Sequence, residues 1–149
     1  MHQDWIYCCE YYARGVLDIR ADDVTFSSSK LFHAYGLGNG LMFPFHVGAT
    51  TILYPGKPQA RTILEVAQAN RPTLFYSVPT LYAAMLQDAE RNNAYDLKSV
   101  RLAVSAAEPL PAEIFRRWKE RFGIEILDGI GSTEVLHIYL SARAGRASL

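Results

Sequence analysis

The chain has 149 residues, of which 50% are hydrophobic and 20% are charged, as is typical of a globular domain with a sizeable core. Its 15 basic and 15 acidic side chains balance, so no basic surface supports a nucleic-acid partner. The amino terminus lacks the pattern of a signal peptide, and the adjacent Cys8 and Cys9 are interpreted as two reduced thiols of a cytoplasmic protein.

Residues 31–56 contain no Asp, Glu, Lys or Arg, so a membrane span has to be considered. A transmembrane helix needs about 20 predominantly apolar residues in a row. Glycine and proline interrupt this stretch at Gly36, Gly38, Gly40, Pro44, Gly48 and Pro55. We therefore expect a buried helix at about 35–47 followed by a buried strand at 50–54, and no membrane partner.

From Val24 onward, short runs with strand composition alternate with amphipathic helical runs. The predicted strands are 24–26, 50–54, 73–78, 100–104, 124–127 and 135–140. Besides 35–47, the predicted helices run from Ala60 to about Arg71, from Pro79 to about Ala89, and from Pro111 to Phe122. A polar loop is expected at 91–96, and the tail 142–149 is expected to fray.

This alternation of apolar strands and helices predicts an α/β fold with a mostly parallel sheet flanked by helices. The sequence contains no repeat, low-complexity tract or linker, so the chain is one domain or part of one. Ligands of such sheets bind beyond the carboxyl ends of the strands. The loops after Val104 and after Leu127 therefore lie where a site is expected.

Three common kinds of site are not supported by the sequence. The Gly-x-Ser-x-Gly turn of serine hydrolases is absent. The glycines from Gly36 to Gly40 lack the spacing of a dinucleotide-binding fingerprint and do not directly follow a predicted strand. The four histidines do not have metal-ligand spacing.

The segment after the fifth predicted strand is more informative; it reads Asp128-Gly129-Ile130-Gly131-Ser132-Thr133-Glu134. Glycines at 129 and 131 let the backbone approach a ligand closely, and the Thr133 hydroxyl can donate to a phosphate. Glu134 supplies a hard oxygen ligand, which suits a Mg²⁺ ion that is also held by nucleotide phosphates. A plain glycine turn carrying a solvated Thr-Glu pair is the alternative interpretation.

Two further segments extend this pattern, namely Ser105-Ala106-Ala107-Glu108-Pro109-Leu110 and the run from Lys30 to Gly40. Residues 128–134 resemble the signature of the adenylate-forming superfamily, and residues 105–110 resemble its adenine-flanking loop. The run from Lys30 to Gly40 resembles the acyl-pocket segment in the form found in benzoate–CoA ligases. The three segments follow one another along the chain in the order found in the superfamily. The resemblance extends from about Asp4 to Ala144. Ile130 departs from the aromatic residue that many members of the superfamily have before the last glycine.

The resemblance implies a role for each matching position. Thr133, Glu134 and His33 would be catalytic, with Glu134 as the Mg²⁺ ligand and His33 as a gate at the thiol entrance. The nucleotide would be bound by Ser105, Ala106, Ala107, Glu108, Asp128, Gly129, Ile130, Gly131, Ser132 and Thr133. The acyl pocket would be lined by Ala34, Tyr35, Phe43, His137 and Ile138. Core packing remains the alternative for Phe43, Ile138 and His33, and an exposed loop carboxylate for Glu108.

The implied reaction joins an aromatic carboxylic acid, benzoate or a substituted benzoate, to coenzyme A with ATP and Mg²⁺, through an acyl-AMP intermediate. The superfamily's phosphate loop would precede Met1, and its mobile lid domain with the catalytic lysine would follow Leu149. Residues 1–149 are therefore expected to be a partial AMP-binding domain that is inactive alone. Three alternatives stay open: a non-catalytic nucleotide-binding module, another acyl-adenylating ligase, and an unrelated doubly wound oxidoreductase. The sequence does not indicate an oligomeric state.

Overall fold

The computed structural model describes residues 2–92 and 95–145, and these are built around a six-stranded sheet in the order β2-β1-β3-β4-β5-β6. Strands β1 to β5 are parallel to their neighbours, whereas β6 pairs with β5 in the antiparallel direction. The predicted α/β fold with a mostly parallel sheet is thus confirmed. The strands are β1 (Val24–Ser27), β2 (Thr50–Ile52), β3 (Leu74–Ser77), β4 (Leu102–Ser105), β5 (Ile126–Gly131) and β6 (Ile138–Ser141).

Helices cover the sheet and enclose two buried clusters of apolar side chains. One cluster contains Trp118, Phe75 and Tyr82, and the other contains Phe43, Tyr76 and Leu127. The helices are α1 (His2–Tyr7), α2 (Ala34–Leu37), α3 (Phe43–Val47), α4 (Ala60–Asn70), α5 (Pro79–Arg91) and α6 (Ala112–Phe122), with π-helices at Cys8–Arg14 and Gly38–Met42. Within the described residues, no helix is long and apolar enough to cross a membrane.

The three longest helices follow the sequence prediction because their ends carry strong local signals. Pro79 begins α5 at its first turn, where the missing N–H costs nothing. Helix α6 ends at Gly123, which adopts the left-handed conformation (φ 72°) that favours glycine. Helix α4 ends at Arg71, also left-handed (φ 50°), directly before Pro72.

The segment predicted as one buried helix at 35–47 is helical but changes geometry twice. Helix α2 continues into the second π-helix, Gly38–Met42, which continues into α3. A π-helical turn places one more residue in each turn than an α-helix does. The amino-terminal helix α1 and the first π-helix, Cys8–Arg14, were not predicted; Cys8 and Cys9 there are free thiols, as expected.

The predicted strand 135–140 is wrong in its first half. Residues 132–137 form a tight loop in which the Leu136 N–H donates to the Thr133 carbonyl at 3.1 Å, and β6 begins only at Ile138. Strand β5 is correspondingly longer than predicted and includes Asp128 to Gly131. The predicted loop 91–96 and tail 142–149 lie partly outside the described residues.

A buried ion pair joins the amino ends of three strands. It lies at the opposite end of the strands from the loops that form the candidate site. The Asp23 carboxylate, 5% exposed, accepts hydrogen bonds from the Arg101 guanidinium at 2.7 and 3.0 Å and from the Thr73 hydroxyl at 2.6 Å. Arg101 also donates to the carbonyls of Leu17 and Asp18. This network holds the start of β1, β3 and β4 together.

Candidate functional site

The candidate site lies at the carboxyl edge of the sheet, where the loops after neighbouring parallel strands converge. Ser77 ends β3, Ser105 ends β4, and both side chains are fully buried. The loop after β4 and the hairpin between β5 and β6 face each other there. Parallel pairing places these loops together because it aligns the strand ends on one side.

A pocket of about 330 Å³ opens at this edge. Its walls come from the segment before α2 and the first residues of α2, from the residue after β3, from the loop after β4 and from the hairpin between β5 and β6. The lining includes ten of the residues predicted for the site: His33, Ala34, Tyr35, Ala106, Ala107, Gly131, Ser132, Thr133, His137 and Ile138. Ser29 and Val78 complete it, and neither was predicted.

A second pocket, of about 290 Å³, adjoins the first. It is lined by Glu108, Pro109, Asp128, Gly129 and Ile130 together with Ala107 and Gly131. Ala107 and Gly131 line both pockets and therefore form their shared wall. Of the residues predicted to flank an adenine, Ala107, Glu108 and Asp128 line the second pocket, whereas Ala106 lines the first. The residues predicted to line an acyl slot lie around the first pocket, except Phe43.

The shared wall has unusual backbone geometry on both sides. Ala107 adopts a left-handed conformation (φ 79°), which is uncommon and strained for a residue with a side chain. A Cβ atom on Gly131 would approach the His137 carbonyl oxygen to 2.6 Å, so only glycine allows this close approach. Backbone atoms, more than side chains, therefore shape the boundary between the pockets.

His137 forms the inner wall of the first pocket and is only 3% exposed. Its ring stacks on Tyr35 with ring centroids 5.3 Å apart and meets Phe43 edge-on at 4.6 Å. The Nε2 atom lies 3.3 Å from the Tyr35 carbonyl oxygen, which only accepts, so Nε2 carries the proton. Burial lowers the pKa of His137 to about 4, against the effect of that hydrogen bond, and the ring is neutral at pH 7.

Asp128 lies at the floor of the second pocket and is partly buried. Its Oδ2 atom accepts a hydrogen bond from the Leu110 N–H at 3.2 Å. The Oδ1 atom is buried, and within the described residues it has no hydrogen-bond partner. Burial raises the pKa of Asp128, although N–H groups of Leu110 and Gly129 act in the opposite direction. A buried acceptor of this kind is costly unless a ligand donates to it.

Thr133 and Glu134 are exposed at the tip of the hairpin, next to the first pocket. Hydrogen bonds from its own N–H and from the Ser132 hydroxyl hold the pKa of Glu134 below its ordinary value, so it is ionised at pH 7. Across residues 2–92 and 95–145 there is no cluster of three or more metal-ligating side chains. A metal ion at Glu134 would therefore need most of its ligands from a bound nucleotide.

The structure separates two predicted residues from the pocket surfaces and places two others at the pocket openings. Phe43 is fully buried behind His137, and Ser105 is fully buried at the end of β4. His33 is exposed at the pocket mouth with its ring 4.5 Å from that of Phe32, so core packing does not explain it. Glu108 is also exposed, on the rim of the second pocket.

Besides Ser29 and Val78, two contributors to the site behind the pocket wall were missed from sequence. Tyr12, on the first π-helix, places its ring 5.3 Å from that of His137. Gly38 lies against the same imidazole. The three glycines at 36, 38 and 40 indicate that other atoms pack closely against this segment. The sequence alone does not indicate that His137 is the side chain that packs there.

Comparison with known proteins agrees with this geometry. The chain is 52% identical over 145 residues to the benzoate–CoA ligase of Thauera aromatica, covering 97% of this chain and 27% of that ligase. It superposes on a benzoate CoA ligase from Burkholderia xenovorans LB400 with a TM-score of 0.94 and 50% identity, covering 99% of this chain and 30% of the other. An anthranilate CoA ligase in complex with anthranoyl-AMP gives a TM-score of 0.93 and 42% identity, covering 99% and 28%.

The chain thus spans about a quarter to a third of the length of these relatives. The family described as AMP-binding enzyme matches residues 1–148, nearly the whole sequence. This excludes the oxidoreductase alternative, and the chain belongs to the AMP-binding enzyme family.

Proposed function

We propose that this chain forms the acyl- and adenine-binding part of an aryl-CoA ligase. The enzyme would activate benzoate or a ring-substituted benzoate with ATP, releasing pyrophosphate, and would then transfer the acyl group from acyl-AMP to coenzyme A. The observation that carries the proposal is the pair of adjoining pockets that share Ala107 and Gly131. An aromatic acid in one and an adenine in the other would bring the carboxylate and the α-phosphate together at this wall.

The first pocket suits a flat, apolar acyl group. Tyr35, His137 and Ile138 give it aromatic and aliphatic walls, and Ala34 leaves room between them. His137 is neutral, so it adds no charge to the slot. Phe43 acts from behind, because its ring supports His137 without reaching the pocket.

The second pocket suits an adenine. The unpaired Oδ1 atom of Asp128 can accept a hydrogen bond from an exocyclic amino group. Ala107 and Gly129 offer flat backbone surfaces against which a ring can lie, with Ala106 and Ser105 fixing the loop behind. Glu108 and Ile130 lie at the rim of this pocket.

Thr133 and Glu134 would act on the phosphates. The Thr133 hydroxyl can donate to an α-phosphate oxygen, where negative charge accumulates as the carboxylate attacks. The ionised Glu134 fits as one carboxylate ligand of a Mg²⁺ ion that takes its remaining ligands from ATP and water. Bound there, the ion would supply charge neutralisation of the phosphates.

His33 at the mouth of the first pocket would meet the thiol of coenzyme A as it enters. We place the reaction in the cytoplasm, where ATP and coenzyme A are supplied, and the free thiols of Cys8 and Cys9 fit that reducing compartment. A non-catalytic nucleotide-binding module would keep the second pocket but would have no use for the ionised Glu134 beside the first.

The test uses the completed ligase, defined as this chain joined to the flanking segments of the Thauera aromatica benzoate–CoA ligase. Pyrophosphate exchange with benzoate should fall at least 100-fold in Glu134→Gln, because the charge is lost while the shape is kept. Thr133→Ala should slow exchange more than it slows thioester formation from preformed benzoyl-AMP. Glu120→Gln, the same change at an exposed position on α6, is the control. The expected ~100-fold loss is the usual effect of removing one contact that stabilises the transition state. Unchanged pyrophosphate exchange in both site variants would disprove the assignment.

A further inference from the structure

We infer that Gly38 is a positioning residue that sets the depth of the acyl pocket, because its missing side chain lets the His137 ring lie against the second π-helix. The inference rests on the proposed function for its consequence, selectivity among aromatic acids. Its steric basis is independent of that function. Gly38 itself does not line the pocket wall, so it would act only through His137.

Gly38 is not required by its backbone conformation. Its φ and ψ are −60° and −57°, which are ordinary helical values for any residue. Alanine is the more favourable residue in a helix, since glycine loses more conformational freedom. The reason for glycine must therefore be space around the Cα atom.

That space is occupied by the imidazole of His137. A Cβ atom on Gly38 would lie 2.5 Å from the His137 Cδ2 atom and 3.0 Å from Nε2, with the Phe43 Cζ atom at 3.1 Å. The 2.5 Å distance to Cδ2 is shorter than Cβ atoms make in folded proteins, so a methyl group at 38 has to displace the ring.

Neighbouring aromatic rings restrict where the displaced imidazole can go. Tyr35 stacks on it, Phe43 meets it edge-on, and the Tyr12 ring centroid lies 5.3 Å away. The His137 backbone is fixed as well, because its carbonyl accepts the Ser132 N–H and lies against Gly131. The open side is the acyl pocket that His137 lines.

A methyl group at 38 should therefore push the imidazole into the pocket by roughly a bond length and shorten the slot. Benzoate would lose some affinity, and acids with a substituent pointing at His137 would lose more. One methylene in a tight pocket changes specificity by roughly 10-fold to 200-fold. We expect a selectivity change of at least about tenfold.

The test compares Gly38→Ala with Gly40→Ala in the completed ligase. Gly40 is in the same π-helix, and the one atom near a Cβ there would be the Cδ2 methyl group of the exposed Leu31, at 3.1 Å. Pyrophosphate exchange is measured with benzoate and with its 2-, 3- and 4-methyl and hydroxy derivatives. Gly38→Ala should raise KM for at least one substituted acid about tenfold more than for benzoate, with kcat at saturation nearly unchanged. Unchanged selectivity, or an equal change in Gly40→Ala, would overturn the inference.

A second measurement does not depend on activity. Thermal unfolding is compared for Gly38→Ala, His137→Ala and the double variant. Gly38→Ala should lower the unfolding temperature when His137 is present and should have little effect or raise it when the ring is absent. If Gly38→Ala lowers the unfolding temperature equally with His137 and with His137→Ala, the clash does not involve His137. The same conclusion follows if Gly38→Ala and the double variant both fail to fold. If the unmodified ligase exchanges no aromatic acid, the proposed function fails, whereas this cycle still decides the steric claim.

Discussion

Removing the guanidinium of the buried ion pair should open the amino end of the sheet without changing the site. In Arg101→Leu, the Asp23 carboxylate keeps the hydrogen bonds from the Thr73 hydroxyl and the Arg20 N–H but loses its counter-charge. Breaking a buried pair from one side costs about 3–5 kcal/mol. The Arg101 side chain is 38% exposed, so water already weakens the pair, and we take about 3 kcal/mol from the low end of that range.

The chain offers a closely matched control in Arg117, which pairs with Glu90. Both arginine side chains are 38% exposed, but the side chain of Asp23 is 6% exposed and that of Glu90 is 50% exposed. Arg117→Leu should therefore have little effect, because its carboxylate partner returns to water. The difference between the two variants isolates the burial of the carboxylate.

Hydrogen exchange of the completed ligase measures the effect locally. Peptides that contain β1 and the starts of β3 and β4 should exchange roughly a hundredfold faster in Arg101→Leu, since about 3 kcal/mol corresponds to two powers of ten. Kinetics of pyrophosphate exchange should be unchanged at low temperature, because the pair lies at the opposite end of the sheet. Equal exchange in Arg101→Leu and Arg117→Leu would refute the reasoning.

The same pair predicts a dependence on pH. Burial disfavours the ionised form of Asp23 and by itself would raise its pKa. Hydrogen bonds from Arg101, Thr73 and the Arg20 N–H outweigh this effect and hold the pKa of Asp23 below its ordinary value. A carboxylate whose pKa is lower in the folded state stabilises the fold at pH values above its unfolded pKa, about 3.9. That contribution is lost as the pH falls through the lower pKa of the folded state. Protection of these strands should decline below about pH 4, and less steeply in Arg101→Leu.

Further predictions concern the core and the two pockets. Trp118→Ala should destabilise the fold by about 3–5 kcal/mol in denaturant titrations, because its ring is fully buried against Tyr82 and Phe122. Gly36→Ala should prevent folding, seen as loss of expression in soluble form, since a Cβ would lie 2.1 Å from the Lys30 carbonyl oxygen. Ala34→Leu should fill the slot and raise KM more for ring-substituted benzoates than for benzoate. Asp128→Asn should raise KM for ATP about tenfold or more and leave KM for the acid unchanged, because its amide donor would face the adenine amino group.

Much of the fold was predictable because its signals are local. Helices α4, α5 and α6 carry an apolar stripe and end at residues with strong stop signals, such as Gly123. The central strands β3 and β4 are buried at every position, and such continuous apolar runs are typical of parallel sheets. The order of the strands in the sheet depends on how the connecting helices cross it, which cannot be predicted from the sequence of any single segment.

The errors occur where tertiary contacts decide the local structure. The two π-helices depart from the 3.6-residue period on which helix prediction depends. The hairpin 132–137 replaces a predicted strand because Gly131 and His137 pack backbone to backbone, which composition does not show. Phe43 was assigned to the pocket from the family resemblance, yet its ring is fully buried behind His137.

The wall shared by the two pockets has a consequence for how such a scaffold diversifies. It is built from residues 107 and 131, which continue from the neighbouring hydrogen-bonded strands β4 and β5. The distance between the two pockets therefore depends on the spacing of neighbouring strands, about 4.8 Å. Substituting the side chains that line the pockets does not change that distance. If the first pocket takes the aromatic acid, as proposed, substitutions at the far wall, around Ala34 and His137, would change which ring is accepted and leave the shared wall in place. A new acid preference would then need only single substitutions away from the point where the acid meets the nucleotide.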